Sequence, residues 1–185
     1  MPWILLGILL AVLLIPSQGT AGGNAGEIFS PSNQNFSFPN YQGGSMNNPL
    51  SMNSPVSELK ARAEEIANEF GIPSNLFDSL ITQESSWNPQ AGSVTGAFGL
   101  TQLEPQTAES VGVGSSIYTS PDNQLFGGAK YLSGLYQQYG SWVSALRAYF
   151  GGSAAVNDPS ISDGTITAGE YANEILARAG MGSQG

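Results

Sequence analysis

The sequence contains no cysteine and no histidine, and only five of its 185 residues are lysine or arginine. Each absence removes a class of chemistry. Without cysteine there is no disulfide framework, thiolate nucleophile or cysteine-ligated zinc. Without histidine there is no Ser-His-Asp triad, imidazole base or histidine-held metal. Against so few cations stand fourteen Asp and Glu, for a formal net charge of -9. Nucleic acid is bound through Lys and Arg, so it is not expected as a partner. Any proton transfer here falls to carboxylates, tyrosines or the few lysines.

One long apolar run is present, Trp3 to Ile15, closed by Pro16. As a helix it would be roughly 20 Å long, against a hydrocarbon core of about 30 Å. Residues 1–16 therefore read as either an export signal or a retained membrane anchor. Gly19 and Ala21 offer a small-residue cleavage site, whereas the first basic side chain comes only at Lys60. Either way the chain is expected to be membrane-associated or exported, in a cell envelope or a virion. Residues 17–54 hold seven Ser, seven Asn and six Gly, with Glu27 as the single charge. Such a segment buries too little apolar surface to offset its ordering entropy and reads as a flexible linker. Residues 181–185 read as a short tail.

Between these lies a domain at 55–180 whose apolar residues recur with helical spacing. Ser54 and Pro55 open a first helix carrying Leu59, Ala63, Ile66 and Phe70, stopped by Gly71 and Pro73. Ser74 is expected to cap a second, with Leu76, Phe77, Leu80 and Ile81 on one face. Ser120 and Pro121 start a long helix ended by Gly140. Ser141 begins a short one that Gly151-Gly152 should cut off. Thr167 and Glu170 form a capping box for a last helix closed by Gly180. No run alternates with period two for long enough to be a strand. The fold expected is all-α, one compact domain.

On the second helix, residue 84 continues the row of Leu76 and Leu80 at spacing i, i+4, i+8, and it is Glu. A carboxylate in line with packed Leu and Phe loses solvation, which raises its pKa and suits it to be a general acid. The alternative is that the helix ends near Ser85 and leaves Glu84 in water. Periodicity alone does not choose between them.

The segment Glu84-Ser85-Ser86-Trp87-Asn88-Pro89 is followed by Gly96-Ala97-Phe98-Gly99-Leu100-Thr101-Gln102-Leu103-Glu104-Pro105 and then Gln106-Thr107-Ala108. Further on come Pro121-Asp122-Asn123 with Gly128-Ala129-Lys130-Tyr131-Leu132, then Ala148-Tyr149, then Tyr171. In that order these blocks resemble the catalytic domain of the soluble-type lytic transglycosylases, which share the goose-type lysozyme-like (mostly helical, α+β) fold. The resemblance spans roughly residues 55 to 180. It implies that Glu84 is the single acid/base in cleavage of the β-1,4 bond between N-acetylmuramic acid and N-acetylglucosamine. The product would carry a 1,6-anhydro ring, the partner would be peptidoglycan glycan strands, and no cofactor or metal would be used. It further implies that Ser85 supports the site by hydrogen bonding, that Gly99 and Gln102 line the substrate groove, and that Tyr149 and Tyr171 stand close to Glu84. Read from the residues alone, both tyrosines lie on apolar stripes where core packing is an equal alternative. Trp87 and Phe98 suit either a sugar face or the core.

Three positions depart from the family pattern: Phe150 replaces an expected Asn, Thr101 an expected Met, and Glu104 stands where an apolar residue is usual. Glu104 raises the alternative of a second carboxylate that activates water, as in a hydrolytic muramidase. Phe150 raises that of a non-catalytic wall-binding or assembly module. The sequence points to no protein partner.

Overall fold

A computed structural model describes residues 48–182; the apolar run, the linker as far as residue 47 and the last three residues of the tail lie outside the described residues. Six α-helices and one 3-10 helix make up the described part, which contains isolated β-bridges and no strand. None of these helices is long and apolar enough to cross a membrane.

Helix α1, Val56–Glu69, buries Leu59, Ala63, Ile66 and Ala67. It ends in a Schellman motif, with Gly71 N–H bonded to Asn68 O and Ile72 N–H to Ala67 O. Helix α2, Ser74–Ser85, buries Leu76, Phe77, Leu80 and Ile81 on the face the spacing predicted, and Glu84 with them. The expected serine caps do not form. Pro55 and Pro73 take the N-cap positions, and neither helix has a side-chain cap bond. The proline ring holds φ near -60, and Ser54 Oγ instead accepts from Ser51 N–H. Two short elements without an apolar stripe were not legible in the sequence: α3, Pro105–Ser110, and the 3-10 helix Gly114–Tyr118.

Helix α4, Pro121–Tyr139, runs through the middle of the molecule. Its cap is the expected one, Ser120 accepting from Asn123 N–H. It is buried on more than one face, through Leu125, Ala129, Leu132 and Leu135 and also through Gln124, Gly128 and Tyr131. Helices α1 and α5 pack against it, and α6 packs against α5 and α2. Helix α5, Trp142–Asn157, does not stop at Gly151-Gly152 as expected. It kinks there and makes further helical turns to Asn157. Gly152 holds φ 70 and ψ -168, a region open to glycine almost alone, so the glycines redirect the helix instead of ending it. Helix α6, Ala168–Arg178, starts from the complete Thr167–Glu170 capping box.

The stretch just before α1, which composition assigns to the linker, makes specific contacts. Asp122, on α4 and 4 % exposed, pairs with Arg62 on α1 and accepts from Leu50 N–H at 2.8 Å.

Candidate active site

Helix α2 ends abruptly. Ser86 at φ 50 and Trp87 at φ 66 are both in the left-handed region, which costs about 1–3 kcal/mol each for residues other than glycine. Trp87 is held in this conformation because its indole is buried and donates to Thr82 Oγ1 at 3.1 Å. Its ring also carries Lys60 Nζ 5.0 Å from its centre. The reversal turns residues 88–104 back across the end of α2. Ser85 Oγ then donates to Leu100 O at 2.8 Å and ties that loop to the residue beside Glu84.

Glu84 is only 8 % exposed. Burial pushes its carboxyl up to about 7, against the pull of one hydrogen bond in which Tyr171 donates to Oε1. Near neutral pH this carboxyl is poised between its two forms. As an acid it carries a proton into an apolar site; as a carboxylate it keeps the Tyr171 hydroxyl as a fixed donor. That combination suits a group that must give a proton and take one back.

Tyr171 is fully enclosed, and Phe150 lies against it with ring centres 5.0 Å apart. The Asn expected after Tyr149 is thus replaced by a ring that packs on the partner of the buried carboxyl. Tyr149 donates to Thr101 O at 2.7 Å, and its ring stands 5.1 Å from that of Tyr131. Burial, then the charge of Glu84, then Tyr131 hold the Tyr149 phenol well above its ordinary range, so it remains a neutral donor.

Of the residues singled out in the sequence, Glu84 and Tyr171 meet directly, and Tyr149 lies within electrostatic reach of Glu84. Ser85, Gly99 and Gln102 come together in a different way, through the loop. Gly99 is buried at φ 82, and a Cβ there would sit 2.3 Å from Gln124 Cδ. Gln102, at φ 45, donates from Nε2 to Ala91 O at 3.0 Å and to Gly99 O at 2.9 Å. Glu104 is half-buried, its carboxyl raised by desolvation against a hydrogen bond from Thr95. Its charge acts on Tyr131, while Glu84 is raised by burial against the pull of Tyr171. Trp87 belongs to the hydrophobic core, and Phe98 packs partly buried against it, 5.0 Å from the Tyr118 ring.

Sequence reasoning passed over Gln124 and Tyr131, both buried. Their signal was a second row on α4, Gln124, Gly128, Tyr131 and Leu135, at i, i+4, i+7 and i+11. It was masked by the more apolar row beside it.

Residues 62–168 match the family described as the Transglycosylase SLT domain, more than half of the chain. The chain belongs to that family. Among curated relatives is the membrane-bound lytic murein transglycosylase F 2 of Alkalilimnicola ehrlichii, 36 % identical over 87 residues. The match covers 47 % of this chain and 19 % of that protein. The transglycosylase of Enterobacteria phage PRD1 is 37 % identical over 89 residues, 48 % of this chain and 33 % of that protein. This chain thus spans a fifth to a third of the length of these relatives. Among solved structures, an inactive Glu-to-Gln mutant of lytic transglycosylase Slt from Pseudomonas aeruginosa superposes with a TM-score of 0.55 at 26 % identity. That superposition covers 65 % of this chain and 23 % of the other. The 70 kDa soluble lytic transglycosylase of Escherichia coli gives 0.50 at 28 % identity, over 68 % and 23 %. The helical, lysozyme-like architecture expected from the sequence is the one these structures share.

Proposed function

We propose that this SLT-domain protein is a peptidoglycan lytic transglycosylase, with residues 55–180 as its catalytic unit and residues 48–54 lying along it. The observation that carries the reading is the buried Glu84 carboxyl with the Tyr171 hydroxyl fixed on Oε1. In its protonated form Glu84 gives its proton to the glycosidic oxygen as the bond from the muramoyl C1 breaks. The substrate's own acetamido oxygen closes on C1 in the same step. The Glu84 carboxylate then takes the proton of the muramoyl 6-hydroxyl while that oxygen displaces the acetamido group, which leaves a 1,6-anhydro ring and the acid restored. No water is consumed, and one carboxyl suffices where most glycosidases need two. Ser85, Gly99, Gln102, Tyr149 and Tyr171 are assigned to supporting and contacting the glycan around Glu84.

Residues 1–16 serve as anchor or export signal and residues 17–47 as tether, so the enzyme opens the wall locally in an envelope or from a virion. The names of the relatives, one membrane-bound and one from a phage, support this setting.

The test is mass spectrometry of muropeptides released from sacculi by the full chain, with Glu84→Gln beside it. Ends in 1,6-anhydromuramic acid, one water lighter than reducing ends and absent with the variant, are expected. Reducing ends would replace this reading with hydrolysis and make Glu104 the next residue to change. No release by either protein would favour a wall-binding module.

A further inference from the structure

Glu84 and its tyrosines are carried by three different helices, and one buried side chain lies behind the loop that joins them. Gln124 has no exposure and uses its whole carboxamide. Its Oε1 accepts from Leu100 N–H at 3.0 Å, and its Nε2 donates to Pro89 O at 3.0 Å and Ile117 O at 2.7 Å. Its backbone carbonyl accepts from Thr101 Oγ1 at 2.8 Å. Three of these bonds fasten the Gly99–Gln102 turn and the start of the loop to α4, and the fourth ties the same carboxamide to the 3-10 helix. The contact is too close for any side chain at Gly99. At Gly128, a Cβ would meet Thr101 Cβ at 2.5 Å.

The fastened turn has two outputs. Thr101 O receives the Tyr149 hydroxyl, and Leu100 O receives the hydroxyl of Ser85, the neighbour of Glu84. Both are backbone carbonyls, so their positions follow the turn and not their own side chains.

We propose that Gln124 is a positioning residue of the active site, whose carboxamide sets the Gly99–Gln102 turn and, through the Thr101 and Leu100 carbonyls, places Tyr149 and Ser85 about Glu84. This rests on the reading of Glu84 as the catalytic acid. Gln124 touches no substrate; it acts on turnover through the turn. Displacements of about 1 Å in such a constellation lower rates by up to about 100-fold.

The test uses the full chain acting on soluble, uncrosslinked glycan strands. Gln124→Met keeps the volume and removes every hydrogen bond of the carboxamide. Thr101→Val removes the bond to the Gln124 carbonyl while leaving the carbonyl that Tyr149 uses. Expected are native-like circular dichroism, a kcat reduced about 100-fold in the first and about 10-fold in the second, and KM within about threefold of the parent. A structural role alone would not couple these losses to one tyrosine. Here each variant combined with Tyr149→Phe should lose little more than the worse of the two single changes. Leu100 amide exchange should also quicken in Gln124→Met.

A folded Gln124→Met with kcat within about threefold of the parent, or losses that multiply with Tyr149→Phe, would overturn the proposal. Should Gln124→Met not fold, Thr101→Val decides on the same criteria. Glu84→Gln, run in parallel, separates the two ideas. Turnover that survives in it removes the acid assignment, while coupling between Gln124 and Tyr149 is still read from the other variants. If no protein turns over, the acid assignment fails, and an unchanged Leu100 exchange rate would overturn the placement of the turn.

Discussion

At the scale of single residues, the proposed chemistry comes down to one carboxyl, Glu84, which burial pushes up to about 7 from its ordinary 4.5. Between those two values the unfolded chain has lost the proton that the folded protein keeps, so stability falls as pH rises through that window. The difference corresponds to about 3 kcal/mol once pH exceeds the folded value. Glu84→Gln retains an acceptor for Tyr171 and has no charge to bury. Thermal melts should therefore show it gaining stability relative to the parent between pH 5 and pH 8; a constant difference would refute the burial argument. Turnover by the parent should fall as pH rises past about 7, because in the proposed mechanism the acid form is the one that starts the reaction. Tyr171→Phe removes the hydrogen bond that lowers the Glu84 pKa, and so should move that alkaline limb to higher pH. A limb that stays in place would mean the phenol does not act on the carboxyl.

At the scale of elements, the kink in α5 is where sequence and structure part most plainly. Gly151-Gly152 reads as a terminator, yet the chain turns and resumes its helix, which brings Ala155 into the core beyond the bend. Nothing lies within 4 Å of a Cβ built on Gly152, so Gly152→Ala would meet no clash and report backbone strain alone. A loss of about 1–3 kcal/mol in denaturant unfolding is expected. No loss would mean that the bend is not held by φ at this residue. Helix α2 shows the complementary case. Its apolar row was legible to the last turn, but whether Glu84 pointed inward depended on Ser86 and Trp87 reversing the chain, and no local pattern forecasts two left-handed residues that are not glycine.

Across the whole molecule, charge is sparse and local. Peptidoglycan is anionic, and a domain with thirteen acidic against five basic residues from Glu58 onward repels it in bulk. Binding of Glu84→Gln to sacculi should hold or strengthen as salt rises from about 20 to 200 mM, because added ions screen repulsion. A steep loss with salt would point to a basic contact instead. A buried ion pair, Arg62 with Asp122, joins α1 to α4, and the same carboxylate holds Leu50 N–H. Asp122→Ala should cost about 3 kcal/mol in unfolding experiments, since it takes from the partly buried Arg62 guanidinium its buried carboxylate.

The sequence by itself determined the five longer helices, because each carries its own 3.6-residue apolar row and most carry their own stop signals. It determined the family too, through the order of motifs around Glu84, and what it lacks narrowed the chemistry open to it. For what surrounds that carboxyl the sequence offered a resemblance for the tyrosines and nothing for Gln124, and tertiary structure decided it: Tyr171 lies 87 residues away along the chain, and the Gln124 clamp on Leu100 spans 24. Such pairs leave no local periodicity. They form only when separate helices pack, and packing is also what removes the water that would hold Glu84 at an ordinary pKa.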